Sequence, residues 1–175
     1  MSRWLRLAPI LLLALVVAAL VWRLANPQDT RVRSRLAGKP VPHFVLPPAI
    51  LGKPGLASAD LARGGPRLLN LFASWCVPCI AEAPVLSELG RRGVAIDAIA
   101  IRDRPEDVAA FLANHGDPFE RIGSDDNSRV QLALGSSGVP ESFVVDGRGI
   151  IRYQHIGPIE PDQVALILAE LEKAR

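Results

Sequence analysis

The two cysteines of this 175-residue chain lie three positions apart, between a mainly apolar segment and a segment with helical periodicity. Residues 67–73 are typical of a buried central strand, and residues 80–89 predict a helix that ends near Gly90. Cys76 and Cys79 therefore lie at a predicted strand-to-helix junction. This position restricts the chain to folds in which a buried strand leads into a helix and the junction between them carries a reactive group.

The first turn of a helix has unpaired N–H groups and the positive end of the helix dipole. Both favour the thiolate form of a cysteine placed there, as Cys76 is. Cys79 lies one turn later on the same face, so a disulfide can close with little backbone movement. The pair can therefore accept or deliver two electrons by thiol-disulfide exchange.

Other uses of two cysteines are less well supported. A zinc site needs two more ligands, and His43, His115 and His155 are widely separated in the sequence. Covalent haem attachment needs a histidine after the second cysteine, where this chain has Ile80. A purely structural disulfide would close too small a loop to stabilise much. Redox exchange is the favoured role, and we expect no metal and no cofactor.

Strands alternate with helices in the rest of the chain, which predicts an α/β fold with a central mixed sheet covered by helices on both faces. A second apolar strand is expected at residues 94–101 and a hairpin at residues 143–153, with turn residues between its strands. The predicted helices are residues 56–61, 80–89, 105–114, a short one ending at Leu134 and capped by residues 124–127, and 161–173.

The N-terminus has a different composition from the rest. Residues 7–22 contain no charged side chain and predict a transmembrane helix, although a signal peptide cleaved after residues 17–19 and a buried soluble helix are alternatives. Residues 25–40 are rich in proline and arginine and predict a linker. The predicted organisation is an anchor at 1–24, a linker at 25–40 and a folded domain at 41–175.

Charge is divided in the same way. Residues 1–40 have seven basic side chains and one acidic, a net charge of +6, whereas the remaining 135 residues have 13 bases and 17 acids, a net charge of −4. The basic pI therefore describes the N-terminal arm. Because the folded part is mildly acidic and its bases are scattered, we expect no nucleic-acid partner.

The segment Trp75-Cys76-Val77-Pro78-Cys79, which follows the strand, resembles a thioredoxin-superfamily active site. A longer series of matches in the same order resembles the membrane-anchored DsbE/CcmG thiol-disulfide oxidoreductases of cytochrome c maturation. The resemblance covers about residues 38–159 and implies a thioredoxin-like fold. The matching segments are residues 38–44, 69–70, 79–82, 138–143, 146–153 and 155–158.

The resemblance implies roles for the site residues. Cys76 is expected to be the exposed nucleophile and Cys79 the buried resolving thiol. Val139-Pro140 is expected to be a cis peptide that faces the disulfide and, with Trp75, binds substrate backbone. Without the family, Pro140 would be an ordinary proline at the start of a strand.

Two carboxylates are also expected at the site. Glu82 shares a helix face with Cys79, and the resemblance implies that Glu82 and Glu141 form an acidic surround that transfers protons to and from Cys79. The alternative is that each is a solvated surface residue. Asn70, where thioredoxin has a buried acid, and Pro78 are expected to support the site.

The chain departs from the family pattern at three places. Phe72 replaces a usual tryptophan, Ile80 replaces a basic residue after the second cysteine, and Arg102-Asp103 stands where a longer polar loop is common. The first is a volume-tolerant core substitution. The second removes a positive charge near Cys79. These differences bear on the choice of partner rather than on the type of reaction.

The resemblance implies a periplasmic reductase, held on the inner membrane by a single span, that reduces the CxxCH disulfide of apocytochrome c before haem attachment. Its expected partners are apocytochrome c, a membrane thiol transporter of the DsbD/CcdA type and other cytochrome c maturation proteins. A disulfide reductase has little use in a reduced cytosol, which supports the periplasmic placement. The alternatives are a general disulfide oxidoreductase or disulfide donor, and a non-catalytic module that holds apocytochrome c.

Overall fold

A computed structural model describes residues 3–25 and 36–175 of the chain. The chain divides into two compact units, Met1–Val32 and Arg33–Arg175. The described part of the first unit is helix α1, Arg3–Ala25. Among the described residues, no helix has both the length and the apolar character required to cross a membrane. Most of the predicted linker, residues 25–40, lies outside the described residues.

The second unit is built on a five-stranded mixed sheet of order β5-β4-β3-β6-β7. β3 pairs in parallel with β4 and antiparallel with β6. A separate antiparallel pair, β1 with β2, precedes the sheet in the sequence. The strands are β1 Val45–Leu46, β2 Leu56–Ala57, β3 Arg67–Phe72, β4 Ile96–Ile101, β5 Arg121–Asp125, β6 Glu141–Val145 and β7 Ile151–Ile156.

The sheet confirms the fold class that the sequence predicts, a thioredoxin-like α/β domain with helices on both faces. Two crossover helices and a C-terminal helix contribute to one apolar core, and the short fourth helix contributes to the core on the opposite face. These helices are α2 Val77–Arg91, α3 Pro105–His115, α4 Arg129–Ala133 and α5 Val164–Lys173. Every residue of β4 is buried, including Asp97, whose carboxylate pairs with Arg67.

One strand of the five-stranded sheet is missing from the predicted order of elements. β5 pairs in parallel with β4, but Ile122 is its only large apolar residue, so its sequence lacks the apolar run of a buried strand. Tertiary contacts hold it instead, since Ile122 exchanges backbone hydrogen bonds with Ala49 and Pro54. At Gly123 a Cβ would lie 2.7 Å from the Leu46 side chain, so this close packing requires glycine.

The predicted helix at residues 56–61 is wrong in its first part. Leu56–Ala57 forms β2, and a 3-10 helix follows at Ser58–Ala62, where the Asp60 carboxylate accepts a hydrogen bond from the Ala57 N–H. α2 begins at Val77, three residues before the predicted start, because Cys76 caps it. The capping expected before α4 is confirmed, since Asp125 accepts hydrogen bonds from two backbone N–H groups of that helix.

Candidate functional site

The two cysteines form a disulfide at the N-terminus of α2. Cys76 is the N-cap residue, and the backbone N–H of Cys79 points at the Cys76 sulfur with an N···Sγ distance of 3.3 Å. An N–H directed at this sulfur stabilises a thiolate there once the bond is reduced. The Cα atoms of the two residues are 5.3 Å apart, within the ordinary range for a disulfide.

The two cysteines differ little in exposure, although an exposed Cys76 and a buried Cys79 are expected from the family resemblance. Cys76 is 5% exposed and Cys79 is 2% exposed, so both are buried in the disulfide form. The expectation of an exposed Cys76 is therefore wrong for this state. The residues on either side of Cys76 are open to solvent, with Trp75 57% exposed and Val77 74% exposed.

A second chain segment faces the disulfide. The Val139-Pro140 peptide bond is cis, as the family resemblance implies. The Val139 carbonyl oxygen lies 3.6 Å from Cys76 Sγ. Pro140 directly precedes β6, which pairs with β3, the strand that leads into the cysteine loop. The central sheet therefore brings residues 63 positions apart to within contact of one sulfur atom.

The loop before Cys76 is fastened to the end of β4 by contacts that sequence reasoning missed. The Asp103 carboxylate accepts hydrogen bonds from the Ser74 N–H at 2.5 Å and from the Ser74 hydroxyl at 2.7 Å. The Trp75 indole N–H donates to the Arg102 carbonyl at 3.3 Å. Arg102 has a positive φ of 46°, a backbone region in which non-glycine residues are uncommon. Asp103 and Arg102 thus hold the segment that carries Trp75 and Cys76.

Glu82 is buried on the inner face of α2 and is only 1% exposed. Its carboxylate accepts one hydrogen bond from the Ile159 backbone N–H at 3.0 Å and one from the Asn70 amide at 3.2 Å. Burial raises the pKa of Glu82 to about 7, although these two hydrogen bonds lower it and the nearby charge of Glu160 raises it further. Glu82 and Cys79 border the same crevice beneath the disulfide. A carboxyl with such a pKa can exchange protons near neutral pH.

Asn70 connects this carboxylate to the sheet. Its amide nitrogen donates to Glu82 and, at 3.0 Å, to the Ser142 hydroxyl on β6, while its side-chain oxygen has no hydrogen-bond partner among the described residues. Ser142 is a second residue that sequence reasoning missed. It lies opposite Asn70 in the pairing of β3 with β6, so only strand register could have revealed it.

Glu141 is also buried, at the start of β6. Its carboxylate accepts hydrogen bonds from the Ser137 N–H at 3.2 Å, from the Ser137 hydroxyl at 2.9 Å and from the Gln154 amide at 3.3 Å. The alternative that Glu82 and Glu141 are solvated surface residues is therefore wrong. The structure places both carboxylates inside the domain, on the two chain segments that meet at the disulfide.

Two residues that depart from the family pattern lie near this site, Ile80 partly exposed and Phe72 buried. Ile80 is partly exposed beside Cys79, so the side chain next to the disulfide is apolar. Phe72 is buried, and its ring packs against Phe111 and Phe119 with centroid distances of 5.3 and 5.2 Å. Pro78 is exposed in the first turn of α2, where proline is well tolerated.

A metal site requires several ligating side chains that lie close together. Within residues 3–25 and 36–175, no three His, Cys, Asp or Glu side chains lie close enough together to hold a metal ion. The cysteines are bonded to each other, and His155 Nε2 lies 3.1 Å from the Pro158 carbonyl oxygen. The two sulfur atoms at this site can undergo thiol-disulfide exchange.

Comparison with protein families and curated relatives gives consistent matches. The Redoxin family matches residues 36–171. The thiol:disulfide interchange protein DsbE of Pseudomonas fluorescens biotype C is 38% identical over 160 residues, covering 91% of this chain and 88% of the relative. DsbE of Escherichia coli K12 is 37% identical, covering 92% and 89%. The thiol:disulfide interchange protein HelX of Rhodobacter capsulatus is 36% identical, covering 94% and 93%.

Solved structures agree with the fold. A thiol:disulfide interchange protein of the thioredoxin family from Chlorobium tepidum TLS superposes with a TM-score of 0.62 at 25% identity, covering 82% of this chain and 99% of that one. The thioredoxin domain of a thiol-disulfide oxidoreductase from Bacteroides vulgatus gives a TM-score of 0.64 at 19% identity, covering 77% and 97%. The second likeness shows the fold alone.

Proposed function

Because this chain belongs to the DsbE family of thiol:disulfide interchange proteins, and is thus a thiol-disulfide oxidoreductase, we propose that it reduces the CxxCH disulfide of apocytochrome c before haem attachment. The observation that carries this proposal is the Cys76–Cys79 disulfide at the start of α2, beside the buried carboxyl of Glu82. The substrate is inferred from the resemblance to the DsbE/CcmG proteins of cytochrome c maturation.

The exchange proceeds in two steps from the reduced protein. The Cys76 thiolate attacks one sulfur of the substrate disulfide, which forms a mixed disulfide and releases one substrate thiolate. Cys79 then loses its proton and attacks the Cys76 sulfur, which releases the second substrate thiolate and closes the Cys76–Cys79 disulfide. Two electrons pass to the substrate, and the two released thiolates take up two protons.

Glu82 is the proposed acceptor of the Cys79 proton. Both groups lie on one face of α2 and border the same crevice. An acceptor with a pKa of about 7 is ionised often enough to take a proton and acidic enough to return it. Glu141, at the start of β6 directly after the cis Val139-Pro140 bond, is proposed to assist this transfer, and Asn70 to hold the Glu82 carboxylate.

Trp75, Val139 and Pro140 are the proposed substrate-binding residues. The Trp75 ring is exposed beside the disulfide, and the Val139 carbonyl lies next to Cys76 Sγ. A backbone carbonyl at this position can accept a hydrogen bond from an extended substrate strand. Pro78 is proposed to support the start of α2.

Residues 1–24 are proposed to form an inner-membrane anchor and residues 25–40 a linker to the folded domain at 41–175, which lies in the periplasm. The uncharged run at residues 7–22 and the family resemblance support this arrangement. Alkaline phosphatase fused to the C-terminus should be active in intact cells, because that enzyme folds only where disulfides form. An inactive fusion that is stably produced contradicts the periplasmic placement.

The deciding experiment traps the mixed disulfide in cells. In a Cys79→Ser variant, the bond between Cys76 and its substrate cannot be resolved, so it should accumulate. We expect mass spectrometry to identify two proteins that are disulfide-bonded to Cys76 of this variant. One is apocytochrome c, and the other is a membrane thiol transporter of the DsbD/CcdA type, the partner that restores the dithiol. The Cys76→Ser variant is the matched control and should trap neither protein.

Two results would overturn the proposal. Trapping of many unrelated periplasmic proteins without apocytochrome c would indicate a general oxidoreductase. Normal cytochrome c assembly in cells with Cys76→Ser as their only copy would indicate a module that holds apocytochrome c without exchange.

A disulfide donor is the second candidate, and one observation favours it. The Cys79 N–H directed at the Cys76 sulfur stabilises the thiolate, a property that makes a disulfide more oxidising. Redox equilibration against glutathione separates the two functions. A reduction potential above about −150 mV would favour the donor, and a lower one the reductase.

A further inference from the structure

His155 has no part in the exchange described above, yet it is buried and makes a directed contact. It lies in β7, opposite Ser142 of β6, and is 7% exposed. Its Nε2 atom is 3.1 Å from the Pro158 carbonyl oxygen. A carbonyl oxygen can only accept a hydrogen bond, so Nε2 must have the hydrogen and donate it.

The peptide group that accepts this hydrogen bond also contacts Glu82. Its carbonyl belongs to Pro158 and its N–H to Ile159, and this N–H donates to Glu82 Oε1 at 3.0 Å. The two halves of a peptide group are conjugated, so a hydrogen bond to the oxygen polarises the group and strengthens the donor at the nitrogen. One rigid plane therefore connects the His155 ring to the Glu82 carboxylate.

We propose that His155 is a positioning residue for Glu82: it orients the Pro158–Ile159 peptide group and strengthens the hydrogen bond that the Ile159 N–H donates to the ionised carboxylate. The inference rests on the proposed function, in which Glu82 accepts the Cys79 proton. It gives a role to the segment at residues 155–158, which belongs to the family pattern but contributes no atom to the disulfide.

The surroundings of Glu82 make the hydrogen bond from the Ile159 N–H important for the charge of the Glu82 carboxylate. Burial raises the pKa of Glu82, and the negative charge of Glu160 raises it further. The bonds that oppose this effect come from the Ile159 N–H and the Asn70 amide, and no Lys, Arg or His side chain of the described residues hydrogen-bonds to Glu82. Cys79 is the titratable neighbour on α2 itself. The ionised form thus depends on two neutral donors, one of which His155 holds in place.

Loss of the His155 donor should therefore raise the protonated fraction of Glu82 near neutral pH. A protonated carboxyl cannot accept the Cys79 proton, so exchange at neutral pH should slow while substrate binding is unchanged. A residue that merely filled space in the core would not move the ionisation of a carboxyl on another element.

The test compares His155→Phe, which keeps a ring but has no donor, with His155→Gln, whose side-chain amide can replace the Nε2 donor. The Glu82 carboxyl is titrated by ¹³C NMR in the oxidised full-length chain, where no thiol titrates. We expect the Glu82 pKa to rise by about half a unit in His155→Phe, given the modest strengthening within hydrogen-bond chains. His155→Gln should bring the Glu82 pKa most of the way back to its value in the natural chain, and His43→Gln, at an exposed position before β1, should cause no shift.

An unchanged Glu82 pKa in His155→Phe, or an equal shift in both His155 variants, would overturn the inference. If His155→Phe does not fold, ¹⁵N NMR of the unmodified chain decides. A hydrogen of the His155 ring should lie on Nε2, and the Ile159 amide resonance should titrate together with Glu82. A ring hydrogen on Nδ1 alone overturns the inference. Because the titration uses no substrate, failure of the chain to reduce a CxxCH peptide contradicts the proposed function and leaves this result intact.

Discussion

Two buried carboxyls, one near each end of the central sheet, have opposite surroundings. Glu82 lies beneath the disulfide and receives hydrogen bonds from two neutral donors. Asp146 directly follows β6, at the end of the sheet away from Cys76, where it receives two backbone hydrogen bonds and both the Nε and Nη2 donors of Arg152. Burial raises the pKa of Glu82 to about 7. Burial acts in the same direction on Asp146, but its donors outweigh burial and lower its pKa to about 2.

The comparison shows that burial alone does not decide whether a carboxyl is structural or reactive. A guanidinium and two peptide N–H groups fix the charge of Asp146, which then holds the β6–β7 turn. Glu82 has no cation among its described partners, so both of its protonation states are accessible near neutral pH. Removing or supplying positive charge should therefore affect the two sites in different ways.

The largest effect is expected from removal of the proton acceptor at the disulfide. Glu82→Gln retains the shape and part of the hydrogen bonding of the side chain but cannot accept a proton. Positioned proton transfer contributes roughly 10²–10⁴-fold to rate, so closure of the Cys76–Cys79 disulfide from a mixed disulfide should slow by about that factor at pH 7. Rapid-quench kinetics with a CxxCH peptide disulfide measures this step.

Glu88→Gln is the matched control, because Glu88 lies on the same helix but is paired with Arg91 and Arg92 near the surface. It should leave the rate unchanged. Glu141→Gln should slow closure less than Glu82→Gln does, because Glu141 is the assisting group. Exchange rates unchanged between pH 6 and 9 in both Glu82→Gln and Glu141→Gln would remove the proposed proton transfer.

The next effect concerns stability. Glu82 has an ordinary pKa of 4.5 and a folded-state pKa of about 7, so between these values the folded chain binds more protons than the unfolded chain. Its contribution is complete below pH 4.5 and is lost as pH rises through 7, a change of about 3 kcal/mol in the free energy of unfolding. Urea unfolding of the oxidised chain at pH 5 and pH 8 should show this decline, and Glu82→Gln should lack it. Parallel declines in the two proteins would contradict the assigned pKa.

Sequence reasoning located the disulfide, the proline segment and both acids, because each lies within or beside a contiguous motif. The environment of Glu82 could not be read in the same way. Its donors belong to Asn70, twelve residues before it, and to Ile159, 77 residues after it, and they meet only when β3, α2 and the segment after β7 are assembled. For the same reason, the sequence alone left open whether the acids were solvated.

The missed strand teaches a related point. β3 and β4 were predictable because their own apolar residues fill the core, whereas β5 is held by a backbone network with residues 47–54. Its glycine accommodates a neighbouring leucine instead of contributing a side chain. A short sequence pattern shows which residues can contribute apolar side chains to the core. It does not show which distant segments pack against those residues.

At the other end of the sheet the expected effect is on stability and not on exchange. Asp146→Asn keeps one acceptor oxygen but sets an amide against the Arg152 guanidinium, so the free energy of unfolding at pH 7 should fall by about 2 kcal/mol, the usual cost of losing hydrogen bonds to a charged group. Thermal and urea unfolding measure the loss, and the exchange rate of the folded variant should be unchanged. In the natural chain the Asp146 contribution is present above pH 3.8 and is lost as pH falls toward 2.

Asp117→Asn provides the control, since Asp117 pairs with Lys53 at the surface. Exposed pairs contribute at most about 1 kcal/mol, so its cost should be clearly smaller. Equal losses in the two variants would mean that Asp146 is no more important than a surface pair, and the contrast between the two ends of the sheet would fail.

The smallest effect tests whether the disulfide end can be made to resemble the other end. Ile80 is partly exposed beside Cys79, so Ile80→Lys places a positive charge near the site without opening the core. A partly solvated charge contributes a few tenths of a kcal/mol to about 1 kcal/mol, so the pH midpoint for alkylation of Cys76 in the reduced protein should fall by a few tenths of a unit. Ile80→Gln, equally polar but neutral, should leave it in place, and added salt should reduce the shift. A shift of the same size in Ile80→Gln would show that the effect comes from lost apolar contact and not from charge. The absence of a basic residue at position 80 would then not distinguish this end of the sheet from the other.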